Sequence, residues 1–128
     1  MTTVKIPLPL IEVAIHTEDE RGNVYTLLKS FYYCGLEIPA GFESDGASVP
    51  RILWSSVFPP GDSKALRPAI IHDFIYRTHP VGWTRKMADE AFYDLLVRAG
   101  VGAWRSKKAF WGVRLFGGSA WDEGGKKQ

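Results

Sequence analysis

The sequence predicts an α+β fold in one domain, with a small antiparallel N-terminal sheet followed by about three helices. Three observations carry this expectation. Residues 1–40 consist of short β-branched and aromatic runs divided by polar turns, whereas beyond residue 63 the apolar positions recur at helical spacing. A chain of 128 residues can bury roughly two thirds of its unfolded surface around a single core. Neither a repeat nor a linker divides it, so the segments read as 1–40 strand-rich, 41–62 a polar turn with a short helix, 63–117 helical and 118–128 a flexible tail.

Val4-Lys5-Ile6 and Ile11 to Ile15 are strand-like, and Pro7 and Pro9 keep the link between them extended at a sheet edge, because proline cannot donate to a ladder. The polar run from Thr17 to Asn23 turns the chain into Val24-Tyr25-Thr26-Leu27-Leu28, and Tyr32 to Ile38 adds another strand-like piece. Pro50 starts a short helical turn through Trp54, and Pro59-Pro60 stops it. Asp62-Ser63 can cap a helix that runs to Thr78; Pro68 removes one of its hydrogen bonds, so the helix either kinks or begins there. Thr84 caps a second helix that Gly100 can close, with Ala88, Phe92, Leu95 and Ala99 as its apolar stripe and Ile70 and Phe74 as the surface it packs on. A third helix spans Trp104 to Phe116. The glycines and lysines after Phe116 read as a frayed tail.

Composition narrows the function classes. An apolar content of 45% with five tryptophans excludes a disordered chain. No apolar run approaches the roughly 20 residues of a membrane-spanning helix, and the first residues lack the apolar stretch of a signal peptide, so a cytoplasmic location is expected. One cysteine, Cys34, excludes an internal disulfide, and its setting in Phe31-Tyr32-Tyr33-Cys34 predicts a buried structural thiol. With three scattered histidines it offers no zinc set. Charge is uneven: residues 1–64 carry five basic and eight acidic side chains, residues 65–128 eleven basic and six acidic. The basic half can face an anionic surface or present an ordinary solvated helix face; no nucleic-acid motif accompanies it, and no sequence-specific nucleic-acid binding is expected. Trp54, Phe58, Trp83, Trp104 and Trp111 serve either as core or as an interface to membrane or carbohydrate.

The densest chemistry lies in His72-Asp73-Phe74-Ile75-Tyr76, with Asp89 thirteen residues after Tyr76. His72 and Tyr76, four apart, share a helix face, and Asp73 is rotated about 100° from His72. The short link 79–83 makes the two helices antiparallel neighbours, about 8–10 Å apart, so His72 and Asp89 can meet across the gap. His72 would then take a proton from water, Asp89 would fix its tautomer and Asp73 would hold a cation. The alternative from the same spacing is structural: His72 on a backbone carbonyl, Asp89 on an arginine near its helix start, and Tyr76 as packing.

Ser44-Asp45-Gly46-Ala47-Ser48, just before the Pro50 turn, has two readings as well. Asp45, backbone groups and Ser48 can supply ligands to an anion or metal, or Asp45 and Ser48 can form an Asx-turn and a cap. No Gly-x-Ser-x-Gly elbow surrounds Ser48, which argues against a nucleophile there.

The run from Ala69 to Tyr76, with Ala88-Asp89-Glu90-Ala91-Phe92 and the basic-aromatic helix after Gly100, resembles the helical core of phospholipase A2, notably the viral capsid type. Over residues 65–115 the resemblance implies His72 as general base, Asp73 as calcium ligand, Asp89 as orienting carboxylate and Tyr76 as its support, acting on an ester or lipid. The Tyr-x-Gly-x-Gly calcium loop of that family is absent upstream, which leaves Asp45 and neighbouring carbonyls to replace it. A second resemblance covers nearly the whole chain. Gly41 to Arg51, then Trp54, Phe58-Pro59-Pro60, His72-Asp73 with Tyr76, Ala88-Asp89 with Phe92, and Val113-Arg114 with Gly117 resemble a family of small proteins common in tailed bacteriophages and prophages. It implies a phage or prophage origin and, as the rival to a hydrolase, a non-catalytic virion or accessory component in contact with other virion proteins.

Overall fold

A computed structural model describes residues 2–6, 11–18, 22–44, 48–57 and 64–126. Three antiparallel strands, β1 (Thr2–Ile6), β2 (Ile11–Glu18) and β3 (Gly22–Leu27), follow the predicted order, with Val4 opposite Val13 and Ile15 opposite Tyr25. β1 is an edge strand, as expected; Pro7 and Pro9 lie outside the described residues. The piece from Tyr32 to Ile38 is not one strand. It is a separate hairpin of β4 (Phe31–Tyr33) and β5 (Leu36–Ile38), turned at Cys34 and Gly35, both of which have positive φ as a tight two-residue hairpin requires. Cys34 is therefore exposed at a turn tip, not a buried thiol. A two-residue β6 (Glu43–Ser44) returns to pair with β3, Ser44 opposite Tyr25, and this closes the order β1-β2-β3-β6.

A 3₁₀ turn (Arg51–Leu53) and α1 (Trp54–Val57) follow Pro50, and Trp54 Nε1 donates to the Val49 carbonyl at 2.9 Å. The predicted cap at Asp62-Ser63 lies outside the described residues. α2 (Leu66–Thr78) begins at its first residue without a side-chain cap, and Pro68 stands third in it, where the missing N–H is one of those that have no helical acceptor anyway. Proline there starts the helix and does not kink it. α3 (Arg85–Arg98) opens as predicted: Thr84 Oγ1 accepts from the Met87 N–H at 3.1 Å. It closes with Gly100 N–H on the Val97 carbonyl and Val101 N–H on that of Leu96, a Schellman ending. α4 (Ala103–Phe116) matches the third expected helix.

The tail expected after Phe116 is instead a fourth long helix, α5 (Gly118–Lys126). Trp121 holds it, stacked on His79 with ring centroids 3.7 Å apart and edge-on to Tyr76 at 5.3 Å. Gly124 is needed for the close approach, because a Cβ there would stand 2.0 Å from the Tyr76 carbonyl oxygen. A glycine-rich terminal segment can thus be a packing surface as well as a loose end.

α2 is the axis of the core. Its Ala69 joins the cluster of Val49, Phe92, Leu96 and Val113; Leu66 and Ile70 join Leu27 and Ile38 of the sheet side; Ile71, Ile75 and Tyr76 join Ala88 and Leu95 of α3. Ile70 therefore faces the sheet, whereas the stripe of α3 packs on Ala69, Ile71, Ile75 and, as expected, Phe74. A helix packed on several sides leaves its long polar side chains, here Arg67 and Arg77, partly exposed and buries the polar residues at its centre. For α2 those are His72 and Asp73.

Candidate functional site

His72 sits mid-helix in α2, its ring between those of Tyr76 (4.2 Å between centroids) and Phe92 of α3 (4.6 Å). Its Nε2 lies 2.7 Å from Asp89 Oδ1, the contact that the helix pairing predicted. The same oxygen accepts from the Tyr76 hydroxyl at 2.6 Å, and Oδ2 accepts from Arg114 of α4 at 2.8 Å. His72, Tyr76 and Asp89 are thus brought together, and the arginine of Asp89 comes from α4 and not from the start of α3. Arg85, at that start, donates instead to the carbonyls of Val113 and Arg114 and so holds the end of α4 over the site.

Electrostatics fix the proton positions on this side. Burial raises the Asp89 carboxyl, but hydrogen bonds from His72 and Tyr76, the charge of His72 and the bond from Arg114 outweigh it and hold the group below its ordinary value. The Tyr76 phenol is pushed far above its ordinary value by burial and by its bond to Asp89, so it remains a neutral donor. With a carboxylate at Oδ1, Nε2 must carry the hydrogen, and in the neutral ring the lone pair is on Nδ1.

Nδ1 points at Ser48, whose Oγ is 2.8 Å away. Asp73 lies on the Ser48 side of the ring. Its Oδ2 accepts from the Ser44 hydroxyl, and its Oδ1 from the Ser48 N–H at 3.1 Å and from the Ser48 hydroxyl. The Ser48 hydroxyl has one hydrogen and two neighbours that can accept it. When His72 is neutral that hydrogen can go to Nδ1; when the ring takes a second proton, Nδ1–H donates to Ser48 and Ser48 donates to Asp73. Charge gained on the imidazole would then be balanced by Asp89 on one side and, through one hydroxyl, by Asp73 on the other.

The cluster is deeply buried: relative exposure is 1% for His72 and 0% for Asp89, and Ser44, Ser48, Asp73 and Tyr76 are buried with them. Asp45 lies outside the described residues, as does the Arg51 side chain. Among the described residues no three His, Cys, Asp or Glu side chains gather to hold a metal, and Asp73 is the one expected ligand that can be located. Both of its oxygens are occupied by hydroxyl or amide donors. Sequence reasoning missed Ser44 and Arg114 as members of the cluster. Ser44 and Ser48 flank Asp45-Gly46-Ala47 four positions apart, a pattern whose two readings, ligand site or Asx-turn and cap, rest on Asp45 and Ser48 and give Ser44 no role; Arg114 gives no local signal, since only the packing of α4 brings it to Asp89.

The chain belongs to the family described as protein of unknown function DUF1353, whose model matches residues 25–113. It is 31% identical over 80 residues to uncharacterized protein y4jT of Sinorhizobium fredii, covering 62% of this chain and 23% of that one. It is 33% identical over 75 residues to uncharacterized protein y4iH of the same organism, covering 59% of this chain and 30% of the relative. The chain thus spans less than a third of the length of these curated relatives. No solved structure matches it. The matched span starts at β3 and ends one residue before Arg114, so it holds the two serines, α2 and Asp89.

Proposed function

We propose that this cluster is the acid–base centre of a phage or prophage hydrolase acting on esters or lipids, with His72 as its general base. One observation carries the reading. The imidazole lies in line between a carboxylate on Nε2 at 2.7 Å and a hydroxyl on Nδ1 at 2.8 Å, which is the arrangement that orients a base toward an O–H it deprotonates. A water beside Ser48 would give its proton to the Ser48 oxygen as the Ser48 hydrogen passes to Nδ1 and the water oxygen adds to the acyl carbon. The proton would return from Nδ1 to the leaving alkoxide when the tetrahedral adduct collapses. Asp89, with Tyr76 and Arg114 behind it, would stabilise the imidazolium formed between these steps. His72→Gln keeps a donor toward Asp89 and removes the base, so it should lower turnover about 10²–10⁴-fold. If the unaltered protein hydrolyses no acyl ester or phospholipid, the enzyme reading fails.

Calcium enters this proposal only through Asp73 and Asp45. Asp73 would have to exchange its Ser44 and Ser48 donors for the ion, and calcium needs six to eight oxygens. If it binds, calcium at a hundredfold excess over its dissociation constant should add about 2–3 kcal/mol to stability. An unchanged melting curve with a flat calorimetric titration removes the ion from the model.

Burial favours a second reading, a non-catalytic virion or accessory component in which the cluster clamps α2 to α3, α4, Ser44 and Ser48. A clamp needs no substrate access, and the side chains of His72, Asp73, Asp89, Tyr76, Ser44 and Ser48 are buried and bonded within the cluster. Under that reading His72→Gln changes the melting temperature and no turnover exists to lose.

A further inference from the structure

The outer face of α4 has no role in the His72 cluster. Positions 104, 107, 108, 111 and 115 lie on one side of the helix and all are exposed, which places Trp104, Trp111 and Leu115 in one stripe with Lys107 and Lys108 among them. The apolar members stand well out: relative exposure is 77% for Trp104, 59% for Trp111 and 70% for Leu115, with Phe116 at 64% beside them. Large apolar side chains gathered on one exposed face mark a surface that meets something else.

Charge decides what it meets. α4 carries Arg105, Lys107, Lys108 and Arg114 and no acidic residue. A second copy laid on the same face would oppose these lysines with their own counterparts. An anionic surface complements them, and tryptophan is the side chain best suited to the boundary between headgroups and acyl chains, having a polar N–H on an apolar ring. Beside the stripe a groove of about 540 Å³ lined by Glu90, Tyr93, Lys107, Phe110 and Trp111 continues the aromatic surface toward α3.

We propose that the outer face of α4 is a docking surface for anionic phospholipid membranes, on which the helix lies in the interface plane with its tryptophans and Leu115 inserted and Lys107 and Lys108 on the headgroup phosphates. It does not depend on the chemistry of His72, so loss of the hydrolase reading leaves it standing.

The test is co-sedimentation of the full chain with vesicles of equimolar phosphatidylglycerol and phosphatidylcholine, set against phosphatidylcholine alone, with tryptophan fluorescence as a second readout. The protein should sediment with the anionic vesicles and shift its emission to the blue; added salt should release it. Lys107→Ala with Lys108→Ala should lower the partition coefficient about thirtyfold, and Trp104→Ser with Trp111→Ser should abolish most of the blue shift while circular dichroism stays unchanged. Absence of sedimentation with the anionic vesicles overturns the proposal. So does equal binding by the double variant, or binding to duplex DNA in place of vesicles.

Discussion

α2 and α4 are helices of 13 and 14 residues, both rich in apolar side chains, and they break the rule of apolar inside and polar outside in opposite ways. α2 buries His72 and Asp73 at the centre of the molecule, while α4 leaves Trp104, Trp111, Leu115 and Phe116 in solvent. Such violations tell more than obedience does, since a buried charge must be paid for by partners and an exposed apolar stripe must be tolerated for a reason. On α2 the partners are visible: Asp89 and Ser48 satisfy His72, Ser44 and Ser48 satisfy Asp73, and Tyr76 and Arg114 donate in turn to Asp89. On α4 the apolar members of the stripe, Trp104, Trp111 and Leu115, are each more than half exposed. The inner site is thus complete within the fold, and the outer face is complete only with a partner.

The sharpest way to break this contrast is at Asp89. Replacing it with Ala leaves Arg114, Tyr76 and the Nε2–H of His72 without their shared acceptor in a buried setting, and such a loss costs about 3–5 kcal/mol. Denaturant unfolding of Asp89→Ala reads it directly. A cost below 1 kcal/mol would mean that the inner cluster contributes no more than a surface pair does, and the contrast between the helices would be lost.

A smaller effect follows from acid. A carboxyl held below its ordinary value contributes stability that is complete above its unfolded value, about 3.9, and is lost as pH falls from there through the folded value. Stability of the unaltered chain should therefore decline below about pH 4. The neutral amide of Asp89→Asn should flatten that decline in the same pH series. An equal slope in both would place the acid sensitivity on other carboxyls.

Much of this was legible in the sequence, for reasons of scale. Helix periodicity and the short 79–83 link put Asp89 opposite His72, because antiparallel neighbours leave little freedom of register. The Thr84 cap and the closure after Ala99 are local hydrogen-bond signals and were read as such. What failed was tertiary. Cys34 looked apolar by its neighbours, yet a two-residue turn set it outside. Residues 118–126 looked disordered by composition, yet Trp121 and the small size of Gly124 let a helix seat on the end of α2. Arg114 reaches Asp89 only through the packing of α4, and the exposure of Trp104 and Trp111 depends on which face of α4 the core takes, a choice that their aromatic character alone would have settled the other way.

The smallest expected effect is on the outer face, and it tests the contrast from the opposite side. Trp111→Ser and Leu115→Ser remove large apolar groups, which in a core would cost several kcal/mol. Here both side chains are exposed in the folded chain, so little apolar surface returns to water when they are cut back, and each change should alter unfolding free energy by no more than about 0.5 kcal/mol. Removing a charge inside would then cost several times more than removing a tryptophan outside, the reverse of what residue type alone predicts. The measurement is denaturant unfolding of the two serine variants beside Asp89→Ala, at one pH and without lipid. A loss above 2 kcal/mol in either serine variant would show that the face of α4 is packed against the chain itself, and it could then serve no partner.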